Sequence, residues 1–122
     1  MGELLQEVVG ALKRLRAPLC QGEYDLHSLA ASALSQAGIS YAHEVPLAPR
    51  CRIDFLVGDV GIEIKKGKPR ERQLLVQMEK YAMSPAIGAL VVLVERSANL
   101  PLYVCGKPCV ILSINRLWGI AL

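Results

Sequence analysis

The chain is expected to fold as an α/β domain: an antiparallel three-strand meander, a crossover helix and a parallel strand, flanked by further helices. Three observations predict it. The runs Arg50 to Val57 and Val60 to Lys65 alternate apolar and polar residues with the period of half-buried strands, and only Gly58-Asp59 separates them. A Gly-X pair between two such runs signals a type II′ hairpin. Finally, Arg70 to Ala82 has helical periodicity and leads into Ile87 to Glu95, a continuous apolar run suited to a buried strand. Strand, helix, strand in that order implies a right-handed crossover and parallel pairing with the Glu63 strand or a neighbour.

The remaining elements follow in order. Leu4, Leu5, Val8, Val9, Leu12 and Leu15 recur at helical spacing, so Gly2 to Arg16 is read as an amphipathic helix closed by Pro18, an addition to the core that follows. Its stripe must be buried, either on the sheet or against a second subunit. A second helix, Tyr24 to Ala37, turns Leu26, Leu29, Ala30, Ala33 and Leu34 inward and stops at Gly38. The meander consists of Ser40 to Leu47, Cys51 to Val57 and Val60 to Lys66, with Ile53, Phe55 and Val57 on one side and Arg52 and Asp54 on the other. Leu102 to Cys105 and Val110 to Ile114 would extend an edge. Cys105-Gly-Lys-Pro-Cys109 then reads as a hairpin turn with strand-borne thiols, and Leu117 to Leu122 is apolar enough to pack.

At 122 residues the chain is expected to form a single domain with its own core. The longest apolar run, Ala86 to Val94, is too short to cross a bilayer, and Met1 to Arg16 lacks a signal-peptide layout. A soluble cytoplasmic protein without a membrane partner or structural disulfides is the expectation. The formal charge is only +3, yet Arg50, Arg52, Lys65, Lys66, Lys68, Arg70 and Arg72 supply half of the 14 Lys and Arg residues. Such a local concentration suits a phosphate backbone. Aromatic residues make up only 5%, which argues against a base-stacking platform.

Asp54, Glu63 and Lys65 form the constellation best suited to chemistry. A two-residue loop at Gly58-Asp59 pairs Val57 with Val60 and hence Asp54 with Glu63, close enough for two carboxylates to share a divalent cation. A four-residue loop, Gly58 to Gly61, would instead set Asp54 opposite Lys65. Either register keeps the three residues on one face, and only an odd-length loop or a bulge would separate them. Without a cation the same face is a solvated one on which Lys65 bridges a carboxylate.

Ile53-Asp54 followed by Glu63-Ile64-Lys65 resembles the signature of the PD-(D/E)XK nuclease superfamily, with Ile53 at the position of the family's Pro. Gln77-Met-Glu-Lys-Tyr81 on the following helix resembles the Gln-x-x-x-Tyr element of RecB-type members, and archaeal-type Holliday junction resolvases are also similar. The resemblance runs from about Glu23 to Val94. It implies a restriction-endonuclease-like fold and a metal-dependent deoxyribonuclease, with duplex, branched and flap DNA all open as substrates. It implies that Asp54, Glu63, the Ile64 carbonyl and Glu23 bind Mg²⁺ or Mn²⁺ and that Lys65 acts on water or phosphate. Gln77 would orient a ligand and Tyr81 would hold the helix to the site, with His27 and Glu44 as other candidates to complete it. Lys66, Lys68, Arg70 and Arg72 would grip the DNA backbone. An iron–sulfur cluster of the kind some RecB-type nucleases hold is not expected, because Cys20, Cys51, Cys105 and Cys109 lack its spacing. Nucleases of this size often cut as symmetric pairs, so a homodimer using the N-terminal stripe, Leu117 to Leu122, or both is expected. A module that keeps the fold and binds nucleic acid or serves as a regulatory subunit without cutting is the alternative.

Overall fold

A computed structural model describes residues 2–15 and 25–117. Two helices, α1 (Glu3–Lys13) and α2 (Leu26–Gln36), precede a meander of β1 (Ala42–Ala48), β2 (Cys51–Val57) and β3 (Val60–Lys65). Helix α3 (Glu71–Ala82) crosses to β4 (Ala89–Val94), followed by β5 (Tyr103–Val104), β6 (Lys107–Ser113) and the short α4 (Ile114–Leu117). The strand order is β1-β2-β3-β4-β6-β5. Both β1–β2 and β2–β3 are antiparallel, whereas β3–β4 and β4–β6 are parallel, so the sheet is mixed as expected and α3 is the crossover between β3 and β4.

The β2–β3 turn is the expected two-residue loop. Val57 pairs with Val60, Leu56 with Gly61 and Phe55 with Ile62. Gly58 has φ +56° while Asp59 does not enter the left-handed region, as a type II′ turn requires. Gly61 has a packing reason of its own: a Cβ there would run into the side chains of Ile53 and Ile87.

The sheet is covered on both faces. On one, Leu5, Val8, Ala11, Leu12 and Leu15 join Leu26, Ala30 and Leu34 of α2 over Phe55, Val57, Ile62, Ile64, Val91 and Leu93. Burying each such Val or Leu contributes about 1.5–3 kcal/mol, enough to seat α1 firmly. The N-terminal stripe is therefore used within the chain, the intramolecular of its two possible uses. On the other face Leu74, Met78, Tyr81 and Ala82 of α3 pack over Ile53, Leu90, Val92 and Val94.

The structure differs from expectation at two places. Ile53 does not share a face with Phe55 and Val57: it lies under α3, while they lie under α1 and α2. Alternation changes phase between Ile53 and Phe55, at Asp54. His43 pairs with Phe55 and Val45 with Ile53, so the residue across from Asp54 is Glu44, and Glu44 has φ +53°. A residue in the left-handed region disturbs the regular pleat, and both strands shift phase together at this point. The second difference concerns the thiols. Cys109 is on β6 and buried, but Cys105 sits in the turn, exposed, with φ +50°.

Candidate active site

Beyond Phe55 and Ile62 the β2–β3 ladder ends, and side chains take over the freed backbone groups. The Ile64 N–H donates to Asp54 Oδ2 at 2.7 Å. This bond draws the Asp54 carboxylate into the gap between the strands instead of out onto a face. An extended residue points its N–H and C=O to the same side of the strand, so the Ile64 carbonyl looks into the same gap. Asp54 Oδ1 makes no hydrogen bond among the described residues.

Glu63, next along β3, is only 4% exposed and faces α3. A buried carboxylate needs partners for its lone pairs, and three groups supply them. Lys65 Nζ lies 3.2 Å from Oε2, Gln77 Nε2 donates to Oε2 at 3.0 Å, and the Tyr81 hydroxyl lies 3.1 Å from Oε1. Gln77 uses its other amide hydrogen on the Tyr81 hydroxyl oxygen at 2.9 Å. The single Tyr81 proton is shared between Glu63 and the Arg52 carbonyl, 2.9 Å away, and so ties α3 to both strands of the opened hairpin.

Burial pushes the Glu63 carboxyl above the ordinary glutamate range, and the Asp54 charge pushes it further, with Lys65 and the hydrogen bond from Tyr81 opposing. Burial and the Glu63 charge together push the Tyr81 phenol up, so it stays a neutral donor. Cys109, by contrast, is pushed up to about 11 by burial alone and is an inert thiol in the core.

The structure thus brings together Asp54, Glu63, Ile64, Lys65, Gln77 and Tyr81. Glu23 lies outside the described residues. His27 lines a cleft with Asp25, Leu26, Lys66 and the site residue Ile64, and approaches His43, which stacks on Phe55 with ring centroids 4.6 Å apart. Glu44 is exposed on β1. Lys66, Lys68, Arg70 and Arg72 are all exposed around the start of α3, where Arg70 is the N-cap residue. Arg50 and Arg52 line a different cleft, so the basic cluster of the sequence is divided. Lys80 joins them there. Sequence reasoning does not single it out, although its position three residues after Gln77 puts it on the same helical stripe.

Among the described residues, no group of three His, Cys, Asp or Glu side chains gathers as a metal site. What this strand end does offer is a pair of carboxylates and a main-chain carbonyl, an all-oxygen donor set of the kind that suits Mg²⁺ or Mn²⁺ and not softer metals. Among the described residues Asp54 brings an oxygen without a hydrogen-bond partner, and Glu63 has one lone-pair site left after its three contacts, so the donor chemistry fits a hard cation. No family model matches the chain, and neither a curated protein nor a solved structure matches it.

Proposed function

We propose that this chain is a metal-dependent deoxyribonuclease with a restriction-endonuclease-like fold, hydrolysing phosphodiester bonds of duplex or branched DNA. The observation that supports this most is the opened hairpin. Asp54 is held in the gap by the Ile64 N–H, while Glu63, next to Ile64, meets Lys65 within 3.2 Å. Two acids and a lysine at one strand end are the groups that phosphodiester hydrolysis needs.

Asp54, Glu63 and the Ile64 carbonyl would hold Mg²⁺ or Mn²⁺, with Glu23 as a further candidate. Such an ion supplies positive charge to a scissile phosphate and lowers the pKa of water beside it. The protein's own contribution is orientation and charge. Gln77 and Tyr81 fix the rotamer of Glu63 through one hydrogen bond each, with a third joining the two to one another, so its carboxylate is preorganised before substrate arrives. Lys65, partly exposed and paired through its ammonium with Glu63, would stabilise charge developing on the phosphate or position the attacking water. Lys66, Lys68, Arg70 and Arg72 would hold the backbone as it approaches. Of the two surfaces considered for a homodimer with one site per strand, the α1 stripe is consumed internally, which leaves Leu117 to Leu122; all of that segment but Leu117 lies outside the described residues. Light scattering with and without DNA tests that arrangement.

One observation favours a second reading, a nucleic-acid-binding module that does not cut. Both oxygens of Glu63 already hold protein donors, an arrangement that also serves as a purely structural latch between α3 and the sheet. A cleavage assay on a panel of duplex, flap, branched and single-stranded DNA and RNA, with Mg²⁺, Mn²⁺ or EDTA, decides between them. Metal-dependent cleavage of DNA is expected. Binding without cleavage under every condition would favour the latch.

A further inference from the structure

A concave cleft of about 260 Å³ opens beside the Glu63 network, lined by Arg50, Cys51, Arg52, Gln73, Val76, Gln77, Lys80 and Tyr81. Among the described residues it holds three cationic side chains and no carboxylate. None of the three is ion-paired among the described residues, where Lys65 and Glu63 form the ion pair. Like charges gathered around one concavity repel each other and raise the local potential for anions.

Arg50 carries a second, independent sign. It follows Pro49 in the two-residue connection between β1 and β2 and has φ +59°. Pro followed by a residue of positive φ is the type II turn, whose third position favours glycine or asparagine. An arginine there is strained, and no side-chain hydrogen bond or ion pair of its own among the described residues offsets the strain. The cleft is also joined to the candidate site: Gln77 and Tyr81 line it while bonding Glu63, and the Arg52 carbonyl accepts from Tyr81.

We propose that this cleft is a second anion site, in which Arg50, Arg52 and Lys80 seat a backbone phosphate of the same nucleic-acid strand whose scissile phosphate lies at Glu63. It shares no residue with the cleft lined by Asp25, Leu26, His27, Ile64 and Lys66, so the strand contacts the protein at a point that the Lys66 to Arg72 segment does not supply. The identity of the ligand rests on the nuclease reading. The positive charge of the cleft does not.

The test is the anisotropy of a labelled DNA duplex over a salt series in EDTA, so that neither cleavage nor a divalent ion contributes. For the triple variant Arg50→Gly, Arg52→Gln, Lys80→Gln, affinity at fixed salt should fall by at least about tenfold, and the salt slope should shrink by about 0.9 for each phosphate that is no longer neutralised. Arg50→Gly alone should bind more weakly while melting at or above the wild-type temperature, because glycine relieves the turn. Arg52→Gln with Lys80→Gln, which leaves the turn intact, should weaken binding in the same direction. Pyrophosphate should compete with DNA for the wild type.

Wild-type affinity and slope in the triple variant would overturn the proposal. So would saturable pyrophosphate binding that leaves DNA affinity unchanged, since the cleft would then serve a free phosphate ligand. The two readings fail separately. Loss of DNA binding in the triple variant of a protein that never cuts removes the nuclease and keeps the cleft, whereas a cutting enzyme with unchanged triple-variant affinity does the reverse.

Discussion

The two ends of the β2–β3 hairpin are built from the same strands and do opposite things. At the turn end, Val57 to Phe55 and Val60 to Ile62 pair backbone to backbone, and Phe55 and Ile62 send their side chains into the core under α1 and α2. At the open end the ladder stops and the Ile64 N–H turns to Asp54. There the Arg52 carbonyl turns to Tyr81, and the side chain facing α3 is the buried carboxylate of Glu63. Backbone groups inside a protein must be paired, so strands that part must recruit side chains. The recruitment gathers acids where a regular sheet would have put aliphatics.

The contrast breaks if the two ends do not respond differently to mutation. The largest effect is expected in turnover at the open end. Asp54→Ala or Glu63→Ala should lower metal-dependent cleavage by about 10²-fold or more, with DNA affinity in EDTA nearly intact, and Lys65→Ala should lower kcat more than it raises KM. Single-turnover kinetics with anisotropy on the same preparations measures both quantities. At the turn end the loss should be of stability. Phe55→Ala, at a site 1% exposed, should cost about 3–5 kcal/mol in denaturant unfolding.

Tyr81→Phe sharpens the contrast because it touches the open end without removing a charge. It leaves the Arg52 carbonyl and one Glu63 oxygen without their shared donor, so a stability loss of about 1–3 kcal/mol is expected by the same measurement. A loss below the error of unfolding curves would mean that the hydroxyl does not hold the hairpin open.

The smallest expected effect is one of pH. Burial, with the Asp54 charge behind it, raises the Glu63 pKa above its ordinary value of 4.5, so the folded protein holds this proton more tightly than the unfolded chain. The stability it contributes is full below that ordinary value and is lost as pH rises through the raised one. Glu63→Gln cannot titrate. In EDTA its melting temperature should therefore gain on that of the wild type as pH rises from acid toward neutral, and a gap that stays constant would contradict the assignment.

Much of this arrangement can be read from residues alone, and the reasons for the rest are physical. The loop at Gly58-Asp59 fixes the register because only glycine adopts its φ cheaply, and the spacing of Gln77 and Tyr81 places them on one helical stripe that does reach Glu63. Ile53 escapes the pattern because counting by twos assumes an unbroken pleat. The break is made by Glu44 on the neighbouring strand, a residue type that gives no hint of a positive φ. The same holds for Arg50, whose turn geometry would be foreseen only with glycine in its place. The α1 stripe announces its burial but not its partner, since an amphipathic helix fits its own sheet and a second subunit by the same chemistry. The basic run from Arg50 to Arg72 looks continuous because sequence proximity hides that Arg50 and Arg52 line one cleft and Lys66 another.

The most direct test of the central claim, that the open end of the hairpin is a single cation site made by two carboxylates, is calorimetric titration of Mn²⁺ into the wild type, Asp54→Asn and Glu63→Gln. The wild type should bind saturably, and each variant should lose most of that binding while melting as a folded protein. Equal Mn²⁺ affinity in all three proteins would contradict the account.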